Sequence, residues 1–281
     1  MVDNIRIGKQ IAALRKQNGF TQEELAEKLA ITAQAISKWE NGHTLPETAL
    51  LPLLSKILNS SIDSILMPIT IKEGGLITFG KYQWSVLQVN DNSMLVISET
   101  TIGKAPYHDS VAGDITWEYC NLRKYLNGEF FDTFTISEKS RIIKTKLFDR
   151  NNPWYDVKCG NSTFDRIFLL SYDEVVRYFG DSGTLKSKKG FYCDKNGNFT
   201  SVSENSRYTR MPHGDAIYDQ YNDARKVLNA KGEEDWWWLR SPGGQGMHTT
   251  GSIGYLGEIW LCGDDVYRVD GGIRPALWLS F

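Results

Sequence analysis

Cysteine is scarce in this 281-residue chain: the four residues Cys120, Cys159, Cys193 and Cys262 lie far apart, with no Cys-x-x-Cys pair. That spacing speaks against zinc fingers and ribbons and against a disulfide framework, so reduced, mostly structural thiols and no metal are expected. Histidine is equally rare, and His43, His108, His213 and His248 form no recognisable catalytic motif. No apolar run approaches the roughly 20 residues that span a bilayer. The N-terminus is polar and charged with no signal-peptide pattern, so the chain is expected to stay in the cytoplasm. Charge of either sign is not in excess, at 32 Lys plus Arg against 34 Asp plus Glu. With an aromatic share of 12%, that composition excludes disorder. The length suggests about two domains.

What is present is most informative between Thr21 and Gly42. Ile7, Ile11 and Leu14 fall on one stripe of a first helix, Leu25 and Leu29 on one stripe of a second, and Ile36 and Trp39 on a third. Thr21 has Glu24 three residues on, a capping box that satisfies orphan backbone N–H groups. Thr32 supplies a second N-cap. Beyond Asn41-Gly42 and Pro46, Leu50, Leu53, Leu54 and Ile57 resume an apolar stripe before a last short piece from Ile62 to Leu66. Five short helices in a small unit are expected, with two of them joined by a tight turn.

On the run Ala35-Ile36-Ser37-Lys38-Trp39-Glu40-Asn41-Gly42, the segment from about Ile5 to Met67 resembles the Cro/C1-type helix-turn-helix family of phage repressors and bacterial regulators. The resemblance implies that Ala33, Gln34 and Lys38 on the exposed face of the third helix meet base edges, with Thr32 and Ser37 close by. Gln34 could take adenine bidentately and Lys38 guanine. Gln22 and Asn41 match the family's phosphate-contacting positions, which fix register without reading sequence. Arg15 and Glu40 occupy positions that form an internal ion pair. Ala30 departs from the family's frequent glycine in the turn, where a left-handed alanine costs about 1 kcal/mol. Residues 1–68 hold seven cations and seven acids, so this unit is formally neutral. Modest affinity from one copy is expected, and a homodimer placing recognition helices about 34 Å apart on double-stranded DNA.

Helical spacing gives way to β-type alternation near Met67-Pro68, so the units are expected at 1–68 and 69–281, joined by a linker too short and apolar to be a long tether. Leu76 to Phe79, Gln83 to Val89 and Met94 to Ser98, separated by Gly80-Lys81 and Asn90-Asp91-Asn92, predict a β meander. Trp117 to Leu126 predicts a helix stopped at Asn127-Gly128. Thr135 to Glu138 starts another, Arg166 to Leu170 predicts a strand, and the capping box Ser171 to Glu174 opens a helix through Phe179. Gly180 to Gly214 is polar, Gly-rich loop. The ending, Trp236-Trp237-Trp238-Leu239-Arg240-Ser241-Pro242-Gly243 and then Gly271-Gly272-Ile273-Arg274-Pro275, predicts two strands flanking a long exposed excursion.

With those strands, residues 70–281 resemble an uncharacterised bacterial domain family and, more distantly, the C-type-lectin-like fold that includes formylglycine-generating enzymes. The fold class expected is therefore multidomain: an all-α five-helix helix-turn-helix unit, then an α+β domain, C-type-lectin-like. That resemblance implies a ligand face over Gln245 to Asp270, with His248, Tyr255, Trp260, Asp264 and Tyr267. The alternative is that Trp236, Trp238 and Trp260 are core and that Asp264-Asp265 is a hairpin turn; Arg240 and Arg274 fit buried partners of carbonyls or carboxylates. A formylglycine-generating enzyme needs a constellation of reactive cysteines for which Cys262 has no evident partner. A self-cleaving repressor places an Ala-Gly bond before its serine, whereas Ala112-Gly113 follows Asp91-Asn92-Ser93-Met94. The expectation is a non-enzymatic, sequence-specific regulator, a repressor without cofactor, whose C-terminal domain senses a small-molecule or protein effector or mediates assembly.

Overall fold

The computed structural model describes residues 4–66, 71–110, 115–155, 157–187, 191–193, 199–201, 215–244 and 248–281. The chain divides into two compact units, Met1–Ile71 and Lys72–Phe281, three residues beyond the boundary expected from sequence.

The first unit holds α1 (Asn4–Gln17), α2 (Gln22–Leu29), α3 (Ala33–Glu40), α4 (Leu51–Ile57), which a short 3-10 turn precedes, and α5 (Ile62–Leu66). The stripes converge: Ile7, Ile11, Leu25, Leu29, Ile36, Trp39, Leu54, Leu58 and Ile65 form one buried cluster. Both caps form as their chemistry requires. Thr21 accepts from the Glu24 amide while Glu24 reaches back to the Thr21 amide, and Thr32 accepts from the Ala35 amide. Ala30 ends α2 at φ 56°, ψ 43°, so the left-handed turn is made by a residue with a Cβ.

The second unit is built on two antiparallel sheets. In the first, β1 (Leu76–Phe79), β2 (Tyr82–Val89) and β3 (Ser93–Ser98) make the expected meander, and the closing strand β16 (Ala276–Ser280) lies against β3. The far edge of β16 is covered by β4 (Ile142–Ile143) and β7 (Ile167–Phe168). Gly80 turns β1 into β2 at φ 59°, and a Cβ there would come within 2.8 Å of the Phe134 ring. In the second sheet the order is β13 (Trp237–Pro242), β14 (Thr249–Ile253), β15 (Ile259–Asp265), β10 (Asp215–Ile217), β8 (Phe191–Cys193) and β9 (Phe199–Ser201). Two small ribbons stand apart, β5 (Thr145–Leu147) with β6 (Thr163–Asp165), and β11 (Val227–Leu228) with β12 (Glu234–Asp235). The helices are α6 (Asn121–Tyr125), α7 (Ile136–Arg141), α8 (Tyr172–Phe179), α9 (Thr184–Ser187) and α10 (Asn222–Arg225).

Several expectations need correction. The helix expected over 117–126 begins at Asn121, with Cys120 Sγ as its cap, and runs past Asn127-Gly128 in a π turn to Phe130. Asn127 stops nothing because its amide is engaged elsewhere: it donates to the Ile167 carbonyl and accepts from the Arg166 amide. The strand expected over 166–170 pairs only at Ile167–Phe168. Just beyond it, Arg240 takes the Leu169 carbonyl with its guanidinium and the Leu170 carbonyl with its amide. Gly180 to Gly214 is not all loop, since α9, β8 and β9 lie within it; residues 188–190, 194–198 and 202–214 lie outside the described residues. The flanking strands of the closing stretch belong to different sheets, β13 to the second and β16 to the first. Between them β14 is buried at all five positions, so this is sheet and not an exposed excursion. Asp264 and Asp265 are no hairpin turn: they end β15 opposite Thr250 and Thr249.

Trp236, Trp237 and Trp238 are core, as are Trp84 and Trp117. Arg240 joins Asp149 and Glu174, and Arg274 donates to the Ser98 and Arg225 carbonyls with its guanidinium over the rings of Phe179 and Trp237, the structural roles expected for both. Burial holds the Arg274 pKa down at about 10.

Candidate nucleic-acid interface

The third helix decides what the first unit can do. Its buried side is Ile36 and Trp39, which sets Gln34 and Lys38, one turn apart, on the opposite side in solvent. No hydrogen bond among the described residues holds either, so both heads are available to a partner. Both have the reach and the donors that base edges in a major groove require. Ala33 is half-buried against the core cluster, which leaves its methyl partly turned from solvent.

The other residues singled out from sequence are engaged within the protein. Thr32 caps α3 and is exposed. Ser37 is half-buried and its carbonyl and hydroxyl accept from Asn41 Nδ2, at 2.9 and 3.3 Å. Gln22 Nε2 donates to Glu40 Oε2 at 2.7 Å. Glu40 also receives Arg15, Nε to Oε1 at 2.6 Å and Nη2 to Oε2 at 3.0 Å, while Arg15 Nη1 donates to the Phe20 carbonyl at 2.7 Å. One carboxylate thus ties α1, α2 and α3 together. Burial alone would raise its pKa; the bonds from Arg15 and Gln22 outweigh burial and hold it below the usual carboxylate range. The expected Arg15–Glu40 pair is present, and Gln22 was not foreseen as its third member.

In the second unit the five residues of the expected ligand face do not converge. His248 and Tyr267 are exposed at one end of the β14–β15 pair, while Tyr255 is exposed at its turn, roughly 17 Å away along the strands. Trp260 is half-buried and donates to Glu258 Oε1 at 3.0 Å; Asp264 accepts from Ser252 and from Arg268 Nη1 at 2.7 Å. A cavity of about 900 Å³ lies elsewhere, between residues 149–153, the start of α8 and α9, lined among others by Asn152, Tyr172, Val176, Leu185 and Ser241. None of the five faces it. It escaped sequence reasoning because its walls come from four separate stretches, although Ser171 and Tyr172 were legible as a helix start. No group of three or more His, Cys, Asp or Glu side chains fit to hold a metal occurs among the described residues. Cys120, Cys159 and Cys262 form no disulfide, and no described helix is long and apolar enough to cross a membrane.

The family described as "Domain of unknown function (DUF6273)" matches residues 91–281, more than half of the chain, and the helix-turn-helix family matches residues 11–65. The chain belongs to the DUF6273 family and carries a DNA-binding helix-turn-helix unit of the Cro/C1 regulator type. Over 61 residues it is 36% identical to the HTH-type transcriptional regulator YazB of Bacillus subtilis, covering 22% of this chain and 88% of that protein. It is 37% identical over 62 residues to the HTH-type transcriptional activator BcrR of Enterococcus faecalis, covering 22% of this chain but only 30% of BcrR. The P22 c2 repressor, crystallised in complex with synthetic operator 9T, is 36% identical over 22% of this chain and 92% of its own, with a TM-score of 0.21.

Proposed function

We propose that this member of the DUF6273 family is a cytoplasmic, homodimeric, sequence-specific regulator of transcription, acting as a repressor, whose C-terminal unit binds an effector. The observation that carries the DNA-binding half is α3: a capped helix whose apolar side is locked in the core and whose solvent side presents Gln34 and Lys38 unengaged. Gln34 suits adenine and Lys38 guanine. Asn41 and Gln22 stand at the ends of α3 and α2, where contacts to the phosphates fix register. The relatives named as repressor and activator differ in the sign of regulation; repression is the simpler of the two, because steric exclusion of another DNA-bound protein needs no additional surface.

For the C-terminal unit the cavity of about 900 Å³ favours a small molecule, since its size suits an organic ligand and its walls mix apolar and polar groups. The Cys120 thiol, pushed up to about 12 by burial, is a poor nucleophile and serves as the cap of α6. An effector regulates only through unequal affinity for the DNA-competent and incompetent states.

Selection of bound sequences from a random duplex pool, with the full chain and its Gln34→Ala variant at near-physiological salt, tests the first half. A paired, inverted motif that changes in the variant is expected; no enrichment by either protein would overturn it. A thermal-shift screen of metabolites tests the second, because a ligand raises stability by mass action whereas a pure assembly domain gains nothing.

A further inference from the structure

The ribbon of β5 and β6 has a face that the regulatory reading does not use. Its register is Thr145↔Asp165, Lys146↔Phe164 and Leu147↔Thr163. Leu147, Thr163 and Asp165 are buried, so the alternate positions Lys146, Phe148 and Phe164 point the other way, and all three are exposed. Phe148 and Phe164 are 67% and 56% exposed, so neither ring serves the core. Both lie under one cation, with Lys146 Nζ 4.8 Å from the Phe148 centroid and 5.7 Å from that of Phe164. The pattern continues along the ribbon. Arg166, two residues past Phe164, stands 5.0 Å over Phe131, and Lys139 stands 5.1 Å from the same ring. Lys144 is exposed two residues before Lys146.

This stripe alternates ring and cation, and the aspartates next to its three rings in sequence are engaged. Asp165 is buried and bonded to Arg123, Asp149 is held by Arg240, and Asp132 is paired with Lys139 at the far end. Scattered exposed phenylalanines need no explanation; two on one side of a two-stranded ribbon, bridged by one lysine and flanked by further cations, form a surface of definite chemistry. An ammonium that moves from a ring face to a phosphate uncovers that face for a base. Stacking of unpaired bases on aromatics beside a basic track is how single strands are held without sequence preference. A duplex hides its base faces, and an acidic peptide without aromatic side chains has no flat groups to fill both rings.

We propose that the β5–β6 face binds single-stranded nucleic acid, with bases stacked on Phe148 and Phe164 and phosphates held by Lys144, Lys146 and Arg166. The occupant is single-stranded nucleic acid as such, since DNA and RNA offer this face the same bases and phosphates. Neither α3 nor the cavity takes part, so the proposal stands or falls separately from the regulatory reading.

Fluorescence anisotropy of labelled oligo-dT and oligo-U of about 15 nucleotides, against the full chain, tests it. Phe148→Ala and Phe164→Ala are each expected to weaken binding on the order of tenfold, while Phe164→Tyr, which keeps a ring, retains it. Because both positions are on the surface, unchanged melting temperatures should accompany the loss. A preference for dT or for U identifies the source of the strand. Gln34→Ala/Lys38→Ala should lose duplex selectivity and keep single-strand binding. Failure of the wild type to bind either oligomer, equal binding by both alanine variants, or ring-dependent capture of an acidic, phenylalanine-containing peptide in place of the oligomers would overturn the proposal.

Discussion

Gln34 and Lys38 share the solvent side of α3, and neither supports the fold, so their replacement separates recognition from stability. Gln34→Ala and Lys38→Ala are each expected to cost about 1–3 kcal/mol at a single base position and to leave the melting temperature unchanged. Binding to a set of singly substituted operators measures this; selectivity equal to wild type in both variants would mean that another face reads the bases. Ala30 makes the opposite prediction. Its methyl is exposed and its backbone is left-handed, so Ala30→Gly removes strain without removing packing. The first unit should gain about 0.5–1 kcal/mol, after allowance for the greater freedom of glycine in the unfolded chain. A loss of stability in thermal melts would show that the turn is not strained.

Between elements, Glu40 is the joint of the helix-turn-helix, with side-chain exposure of 8% against 10% for Arg15. Its folded pKa lies below the ordinary value of 4.5, so its contribution is present above that value and is lost as pH falls through the folded pKa. Glu40→Gln should therefore destabilise the first unit near neutrality, by about 3 kcal/mol for a broken buried pair, and the gap to wild type should close as pH falls through the lowered folded pKa of Glu40. Helix content followed by circular dichroism through an acid titration, for both proteins, checks it; a gap that persists in acid would place the stabilisation in packing instead. Local chemistry of this kind was legible from sequence. The capping boxes read at Thr21 and Ser171 form, and the helix start read at Thr135 carries one too, because a cap depends on residues three apart. What sequence hid was distant pairing. Residues 251–263 fall in the stretch read as an exposed excursion, yet a Cβ at Gly251 would lie 2.4 Å from the Tyr172 hydroxyl and one at Gly263 2.2 Å from the Thr250 carbonyl, so these glycines pack within the sheet. They are small so that neighbours can approach a sheet, a reason that no local pattern states. The cavity was hidden for the same cause, its walls being about ninety residues apart in sequence, as Asp149 and Ser241 are.

At the scale of the molecule, the first unit has its own apolar cluster but no surplus of positive charge, with seven cations against seven acids in residues 1–68. Affinity for DNA rises with the number of phosphates neutralised, and so does its dependence on salt. A neutral unit of this size therefore gains little from one copy, and the remaining route to useful affinity is to hold two copies at a fixed spacing, so that the second contact is made at high effective concentration. In the proposed dimer the second unit, residues 72–281, would supply that connection independently of the DNA. Residues 1–71 alone should then bind an inverted paired site at least tenfold more weakly than the full chain, while binding a single half-site about equally well. Titrations of both proteins against paired and single half-sites measure the two ratios. Equal affinity for the paired site would locate the pairing surface within the helix-turn-helix unit, and weaker binding to the half-site as well would mean that the second unit itself touches DNA.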